Sequence, residues 1–354
     1  MQYGDASITT AASSSPTGRD DRAVAAWLLL CCAMVFAMVV VGGVTRLTHS
    51  GLSIVEWQPV AGALPPLDQA QWEEVFRKYR QTPEFRQVNP DMDLASFKRI
   101  FWWEYAHRLL GRLIGAAFLL PFLWLALRGK IARPLWPKLA GIFALGGLQG
   151  AMGWYMVESG LVADPRVSQL RLAAHLGFAF LIYAAMLWIA LGLLFRRGRT
   201  PAPGRRLRRQ AIGLAALVFV MVLSGALVAG THAGLEYNTF PLMNGRVVPV
   251  DAFAMEPWYR NLYDNLATVQ FDHRLIAWLL AFLTPWIWWR VRREDSPRRA
   301  RLAADLLLGA IALQITLGIS TLLLFVPVPL AAVHQAGALL VFTAALFLVH
   351  SLRG

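Results

Sequence analysis

The feature that most restricts this chain is the recurrence of apolar runs long enough to cross a lipid bilayer. A transmembrane helix needs about 20 mostly apolar residues. Such runs occur near 24–46, 104–127, 137–157, 172–195, 211–231, 270–289, 302–325 and 329–349. Lipid offers no partner to a free N–H or C=O, so a chain that enters it this often must cross as helices. Composition agrees: 57% of the 354 residues are hydrophobic, 16% are charged and the mean hydropathy is +0.48, which excludes a water-soluble enzyme. The expected fold is an all-α integral membrane protein with eight transmembrane helices. Asp20, Asp21 and Arg22 precede the first run and no clear cleavage signal follows it, so it reads as a retained helix.

A net charge of +13 would suggest a nucleic-acid partner if the cations formed one face. They sort by loop instead. Arg128, Lys130, Arg133 and Lys138 lie between runs two and three. Arg196, Arg197, Arg199, Arg205, Arg206, Arg208 and Arg209 lie between four and five, and Arg290, Arg292, Arg293, Arg298, Arg299 and Arg301 follow run six. These make up half of the 34 Lys and Arg, and short basic loops stay in the cytoplasm. The expectation is a multi-pass protein of the bacterial inner membrane with both termini cytoplasmic and the long loops 49–103 and 232–269 outside. The bilayer accounts for the charge, and no nucleic acid is required. The two cysteines, Cys31 and Cys32, are adjacent within an apolar run, so neither a disulfide scaffold nor a cysteine-ligated metal centre is expected.

The chain repeats itself. GGVTRLTHSGL (42–52) aligns with GALVAGTHAGL (225–235), and EYAHRLLG (104–111) with QFDHRLIA (270–277). LQGAMG (148–153) aligns with LQITLG (313–318), and AAHLG (173–177) resembles AVHQAG (332–337). Two four-helix bundles in tandem, related by a pseudo-two-fold axis, are the simplest outcome of such a parallel duplication. The expected divisions are a disordered cytoplasmic tail (1–22), an N-terminal half (23–195), a basic cytoplasmic linker (196–210) and a C-terminal half (211–354).

Six of the 7 histidines recur as three pairs across this repeat, and His350 stands alone. His107, His175, His273 and His334 fall near the outer ends of runs two, four, six and eight, hence at one depth towards the periplasmic side. Two imidazoles per half, facing across an apolar slot, are what axial haem ligation requires. The plainer alternative is that each hydrogen-bonds a neighbour, although ionisable groups inside a membrane are costly and default to function. Zinc suits two ligands poorly. For His49 and His232, structural, substrate-positioning and ligating roles all stay open.

The halves differ where Glu104, on the same helix face as His107, is matched by the neutral Gln270. A carboxylate beside one site only suggests that the first half does chemistry while the second holds a stable redox haem. Pairing of Glu104 with Arg108 is the alternative. Arg108, Arg112 and Arg274 suit haem propionates, since guanidinium binds carboxylate bidentately, or interfacial anchoring. In the first long loop, LPPLDQAQWEEVFRKY (64–79) predicts an amphipathic helix with Asp68 as N-cap and Trp72, Val75, Phe76 and Tyr79 on one stripe. It is expected to roof the first-half site or to lie on the membrane.

With these residues in view, the chain from about 24 to 350 resembles haem A synthase of the proteobacterial and mitochondrial branch. The most specific stretches are 42–67, FKRIFWWEYAHRLLGR (97–112), 225–249 and FDHRLIA (271–277). The resemblance implies a membrane oxidoreductase of haem A biosynthesis and cytochrome oxidase assembly. Such an enzyme oxidises the C8 methyl of haem O to a formyl group by successive hydroxylations with loss of water. By this likeness His107 and His175 flank the substrate haem O, His273 and His334 ligate a haem b that relays electrons, and Glu104 is the catalytic carboxylate. Some bacterial relatives carry paired cysteines in an outer loop; this chain has none, so disulfide-based control is not expected. The partners implied are haem O and haem A, haem O synthase, oxidase assembly factors and a redox partner that the sequence does not identify, with homo-oligomerisation open. Two other functions compete: a dihaem b-type electron-transfer cytochrome, and a haem-binding assembly module that passes haem O on unaltered.

Overall fold

The computed structural model describes residues 17–56, 61–161, 165–195 and 204–353. Among these, every apolar run forms a helix. The elements are α1 (Thr17–Leu47), α2 (Gln69–Tyr79), α3 (Pro83–Gln87), α4 (Leu94–Leu127), α5 (Trp136–Leu161), α6 (Gln169–Leu194), α7 (Arg205–Thr231), α8 (Leu266–Arg293), α9 (Arg298–Leu323) and α10 (Val328–Ser351). Seven of them, all except α2, α3 and α5, are long and apolar enough to cross a membrane. Helix α5 has the length, with 26 residues, but glycines, Gln149 and Glu158 dilute its apolar character. The chain is thus an all-helical integral membrane protein.

Several helices run further than their apolar cores. Residues 17–22, expected in the tail, form the first turns of α1, and 205–210, expected in the linker, begin α7. The rest of that tail up to residue 16, and linker residues 196–203, lie outside the described residues. Helix α4 begins at Leu94, where Asp93 accepts a 2.8 Å hydrogen bond from the Ser96 N–H as N-cap. Its 34 residues span roughly 51 Å, well beyond a hydrocarbon layer of about 30 Å. Its first turns therefore project from the bundle at the end that carries the long loops. His107 consequently lies more than three turns into its helix, not near its outer end as expected.

The projecting turns of α4 give the first long loop something to pack on. Asp68 caps α2 through the Gln71 N–H at 2.8 Å, and the Gln71 side chain reaches back to the Leu67 N–H at 2.9 Å. The stripe Trp72, Val75, Phe76 and Tyr79 then meets Phe97, Phe101 and Tyr105 of α4 in an aromatic cluster. Trp72 and Phe101 stand edge to face at 4.9 Å, and the Tyr105 hydroxyl donates to the Ala63 carbonyl at 2.7 Å. The second long loop is tied to the bundle where the Gln169 amide at the start of α6 bonds Asp264.

Helix α1 packs on α4 and α6, α4 on α5, and α5 on α6. In the later part of the chain, α7 packs on α8 and α10, α8 on α9, and α9 on α10. Helices α1, α6, α7 and α10 also touch one another across the middle, α6 on α7 and α10, and α10 on α1. They are the inner helices: 44% of the apolar window of α6 and of α10 is buried, against 11% of α4 and 17% of α9. Their shared core includes Leu28, Phe180, Met186, Leu207, Leu339 and Leu348. Cys31 and Cys32 are buried in it and unbonded to each other. His350 lies in the same region with its ring edge-on to Trp188 at 5.3 Å, a packing role for the histidine outside the repeat.

Candidate functional site

Two sets of residues related by the repeat line matching positions in the bundle. In the first, His107 on α4 lies against Gly42 of α1 so closely that a Cβ there would come within 3.2 Å of the imidazole Nε2. His175 on α6 lies against Gly153 of α5, where a Cβ would be 3.0 Å from Cε1. In the second, His273 on α8 faces Gly225 of α7 at 3.2 Å, and His334 on α10 faces Gly318 of α9 at 2.9 Å by the same measure. Glycine is what lets a helix backbone approach an imidazole this closely. His107 and His175 are within electrostatic reach of each other, as are His273 and His334.

The supports match as well. The Gln149 amide donates to the His175 carbonyl at 3.0 Å, and the Gln314 amide donates to the His334 carbonyl at 2.8 Å. The Nδ1 atoms of His175 and His334 are buried without a hydrogen-bond partner. The Nδ1 of His273 stands 3.2 Å from the Ser224 hydroxyl, which leaves its other ring nitrogen for a ligand. No group of three or more His, Cys, Asp or Glu placed to hold a metal ion occurs among the described residues. The histidine pairs therefore offer two donors each, too few for a structural zinc site.

Glu104 is where the sets diverge. It is buried, and Oε2 accepts from the Ser53 hydroxyl at 2.7 Å and from the Ile54 N–H at 2.8 Å. Its Oε1 takes both Nε and an Nη of Arg108, at 3.0 and 2.6 Å. Arg108 continues to the carbonyls of Ile54 and Glu56 at 2.7 and 3.1 Å, so one guanidinium pins the loop after α1 onto α4. Gln270, the counterpart of Glu104, donates to the Ala233 carbonyl at 2.8 Å and accepts from Arg274 at 3.3 Å. Arg274 reaches the carbonyls of Tyr237 and Thr239 at 2.7 and 2.9 Å. These are the repeat positions of Ile54 and Glu56, so the clamp is duplicated while the carboxylate is not. Arg112 is half-buried one turn further along α4.

His49 and His232 are not part of either pair. Each follows the end of its helix with positive φ, 50° and 59°, and their rings lie parallel, 6.3 Å apart and inclined by 5°, where the two sets meet. Burial and the nearby Arg46 guanidinium hold the His232 imidazole below its usual range.

A family model described as cytochrome oxidase assembly protein (COX15-CtaA) matches residues 25–346. Curated proteins named Heme A synthase align over nearly the full chain. That of Nitrosospira multiformis is 62% identical over 94% of both chains, that of Nitrosomonas eutropha 55% over 99% and 100%, and that of Rhodospirillum centenum 49% over 98% and 93%. The chain belongs to the heme A synthase family.

In this heme A synthase family member, the four histidines expected at the sites pack against residues that the sequence reading did not single out. Gly42, Gly153, Gly225 and Gly318, with Gln149 and Gln314, all lie inside the repeated stretches, so the repeat itself carried that signal. Ser53 and Ile54 are different: they meet Glu104 from about 50 positions away in the chain, and no spacing rule marks them. Of the arginines expected to serve propionates or the interface, Arg108 divides its hydrogen bonds between Glu104 and two loop carbonyls, and Arg274 gives most of its own to loop carbonyls.

Proposed function

We infer that this chain is a membrane oxidoreductase that converts haem O to haem A, oxidising the C8 methyl to a formyl group for cytochrome oxidases. Near-full-length identity to curated heme A synthases supports the reaction. The observation that carries its assignment to a site is the asymmetry between matched histidine pairs: a buried carboxylate, held by Ser53, Ile54 and Arg108, accompanies only the first.

All eight long helices, α5 included, are proposed to cross the membrane as two four-helix halves. Helices α1, α4, α5 and α6 form one and α7, α8, α9 and α10 the other, about a pseudo-two-fold axis. The recurrence of α1–α4, α4–α5 and α5–α6 packing as α7–α8, α8–α9 and α9–α10 supports this arrangement. Arg205, Arg206, Arg208 and Arg209 begin α7, Arg290, Arg292 and Arg293 end α8, and Arg298, Arg299 and Arg301 begin α9. All lie at the end away from the long loops. The excess of cations supports a cytoplasmic position for that end, with the histidines towards the periplasm of a bacterial inner membrane.

His107 and His175 are the proposed grip on the substrate haem O, and His273 and His334 the proposed ligands of a haem b. The donor chemistry fits: neutral nitrogens in pairs, orphaned Nδ1 atoms on His175 and His334, and glycines that leave the rings room. A haem b bound there supplies one-electron transfer. Arg108, Arg112 and Arg274 are the proposed cations for haem propionates, and Arg108 and Arg274 also clamp the loops. Glu104 is the catalytic carboxylate. Fixed by four donors, it needs no reorganisation to stabilise positive charge or take up a proton at the substrate edge, and such preorganised groups act strongly in a dry site.

Extraction of haems from cells that co-express the chain with haem O synthase tests this assignment. Formyl haem is expected with the native chain and not with Glu104→Ala. Two haems of like character with no formyl product would favour a dihaem cytochrome, and unaltered haem O would favour an assembly module.

A further inference from the structure

Two adjacent glycines of α1 lie against different histidine sets. Gly42 backs His107 of the first set, where a Cβ would come within 3.2 Å of the imidazole Nε2. Gly43 lies against Gln335 of α10, the residue that follows His334 of the second set. A Cβ on Gly43 would stand 2.5 Å from the Gln335 Oε1 and 2.9 Å from its Nε2, closer than packed atoms come. The bare backbone lets the amide reach past Gly43 and donate a 2.8 Å hydrogen bond to the Val39 carbonyl, one turn earlier on α1. One turn of α1, residues 39–43, therefore carries both the backing of His107 and the anchor of the helix that bears His334. Between helices in a membrane, small residues permit close approach and amide side chains bond across the gap.

The repeat separates this link from mere cohesion. The counterpart of Gln335 is Leu176, and the counterpart of Gly43 is Ala226. Leu176 packs against the shared apolar core and Ala226 is buried. Helix α6 packs on α7 with those apolar residues in place, so an amide is not required for such helices to adhere. Nor is it required to hold His334, whose carbonyl already accepts from Gln314 at 2.8 Å.

We propose that Gln335 is a positioning residue for the first histidine set: from the helix of the second set, it fixes the turn of α1 that backs His107. The proposal rests on the reading of His107 and His175 as the grip on the substrate haem O. Without the donor, that turn is free to shift against His107, and a displacement of about 1 Å from a distant change can cost about a hundredfold in rate. Removal of a side chain next to a haem b ligand is then felt at the other haem.

The test measures haem A formation in membranes that also contain haem O synthase, for Gln335→Leu, Gly43→Ala, the two combined, and His107→Ala. Haem b absorbance and thermal unfolding of the purified holoprotein are recorded alongside. Gln335→Leu removes the donor at similar size, and Gly43→Ala drives a methyl into the amide. Each is expected to slow haem A formation about tenfold, well within the cost of such a misplacement, and to leave the haem b spectrum native. The combined variant installs the residue pair that the repeat carries at 176 and 226. It is expected to regain the unfolding temperature that Gly43→Ala loses, yet to stay about tenfold slow, since both changes break one contact and their effects do not add. A rate that returned with stability in the combined variant would mark a packing role and overturn the proposal. So would native haem A formation by Gln335→Leu, loss of haem b absorbance in step with the rate, or losses that multiplied to about a hundredfold in the combined variant. His107→Ala is expected to form no haem A; continued formation would instead remove the reading of the first set as the substrate grip, and the proposal with it.

Discussion

The Arg46 guanidinium donates a 2.6 Å hydrogen bond to the carbonyl of Ala229, the residue that occupies its own place in the second repeat. The contact joins the ends of α1 and α7 just before the parallel rings of His49 and His232. A charge-assisted link between the two parts of the chain therefore lies at the long-loop end.

Removing that link should loosen the halves from each other. A hydrogen bond from a charged donor contributes about 1.5–3 kcal/mol, so Arg46→Ala is expected to lower thermal stability in detergent by an amount of that order. Both proposed haem sites should weaken together. Thermal unfolding followed by haem absorbance checks this, and loss of one haem before the other would count against it.

The glycines that face the histidines give a pair of opposite outcomes. Gly318→Val drives a side chain into His334, where even a Cβ would stand at 2.9 Å. The purified protein should then lose most of its haem b absorbance. Gly153→Val, the same change beside His175, should spare the haem b spectrum and cut haem A formation by tenfold or more, a cost of about 1.4 kcal/mol for each factor of ten.

Ser53→Ala removes one of the donors that fix Glu104 while leaving Ile54 and Arg108. Loss of a hydrogen bond to a charged group, about 1.5–3 kcal/mol, predicts a roughly ten- to hundredfold drop in haem A formation with normal expression and haem b content. Ser53→Thr, which retains the hydroxyl, should restore much of it.

Glu84 of α3, only 4% exposed, predicts how stability varies with pH. Burial raises its folded-state affinity for a proton from 4.5 to about 8, above that of the unfolded chain. The folded state therefore binds more protons between those values, and stability falls as pH rises through that window, with a limiting slope of about 1.4 kcal/mol per pH unit. Above about 8 the effect is complete. Melting temperature in detergent should decline across the window in the native chain and decline less in Glu84→Gln.

The sequence revealed what depends on periodicity and on repetition. Apolar runs located the membrane-crossing helices, and the alignment of 104–111 with 270–277 exposed both the histidines and the exchange of Glu104 for Gln270. Helix ends were harder to read. Thr17, Leu94 and Arg205 start helices in polar or mixed sequence, because capping and packing extend a helix past the segment that lipid demands. The α4 extension required partners, Trp72, Phe76 and Tyr79, that only the folded loop supplies. Contacts such as Ser53 with Glu104 were illegible because they join distant segments through a loop with no regular spacing.

Gln270 occupies the clamp of the second half and keeps the loop fastened without bringing a charge. Architecture and reactivity are thereby uncoupled at this one position: swapping acid for amide leaves the scaffold intact. A repeated scaffold can therefore bear an acid at one clamp and an amide at the other with the same backbone carbonyls still captured by each guanidinium.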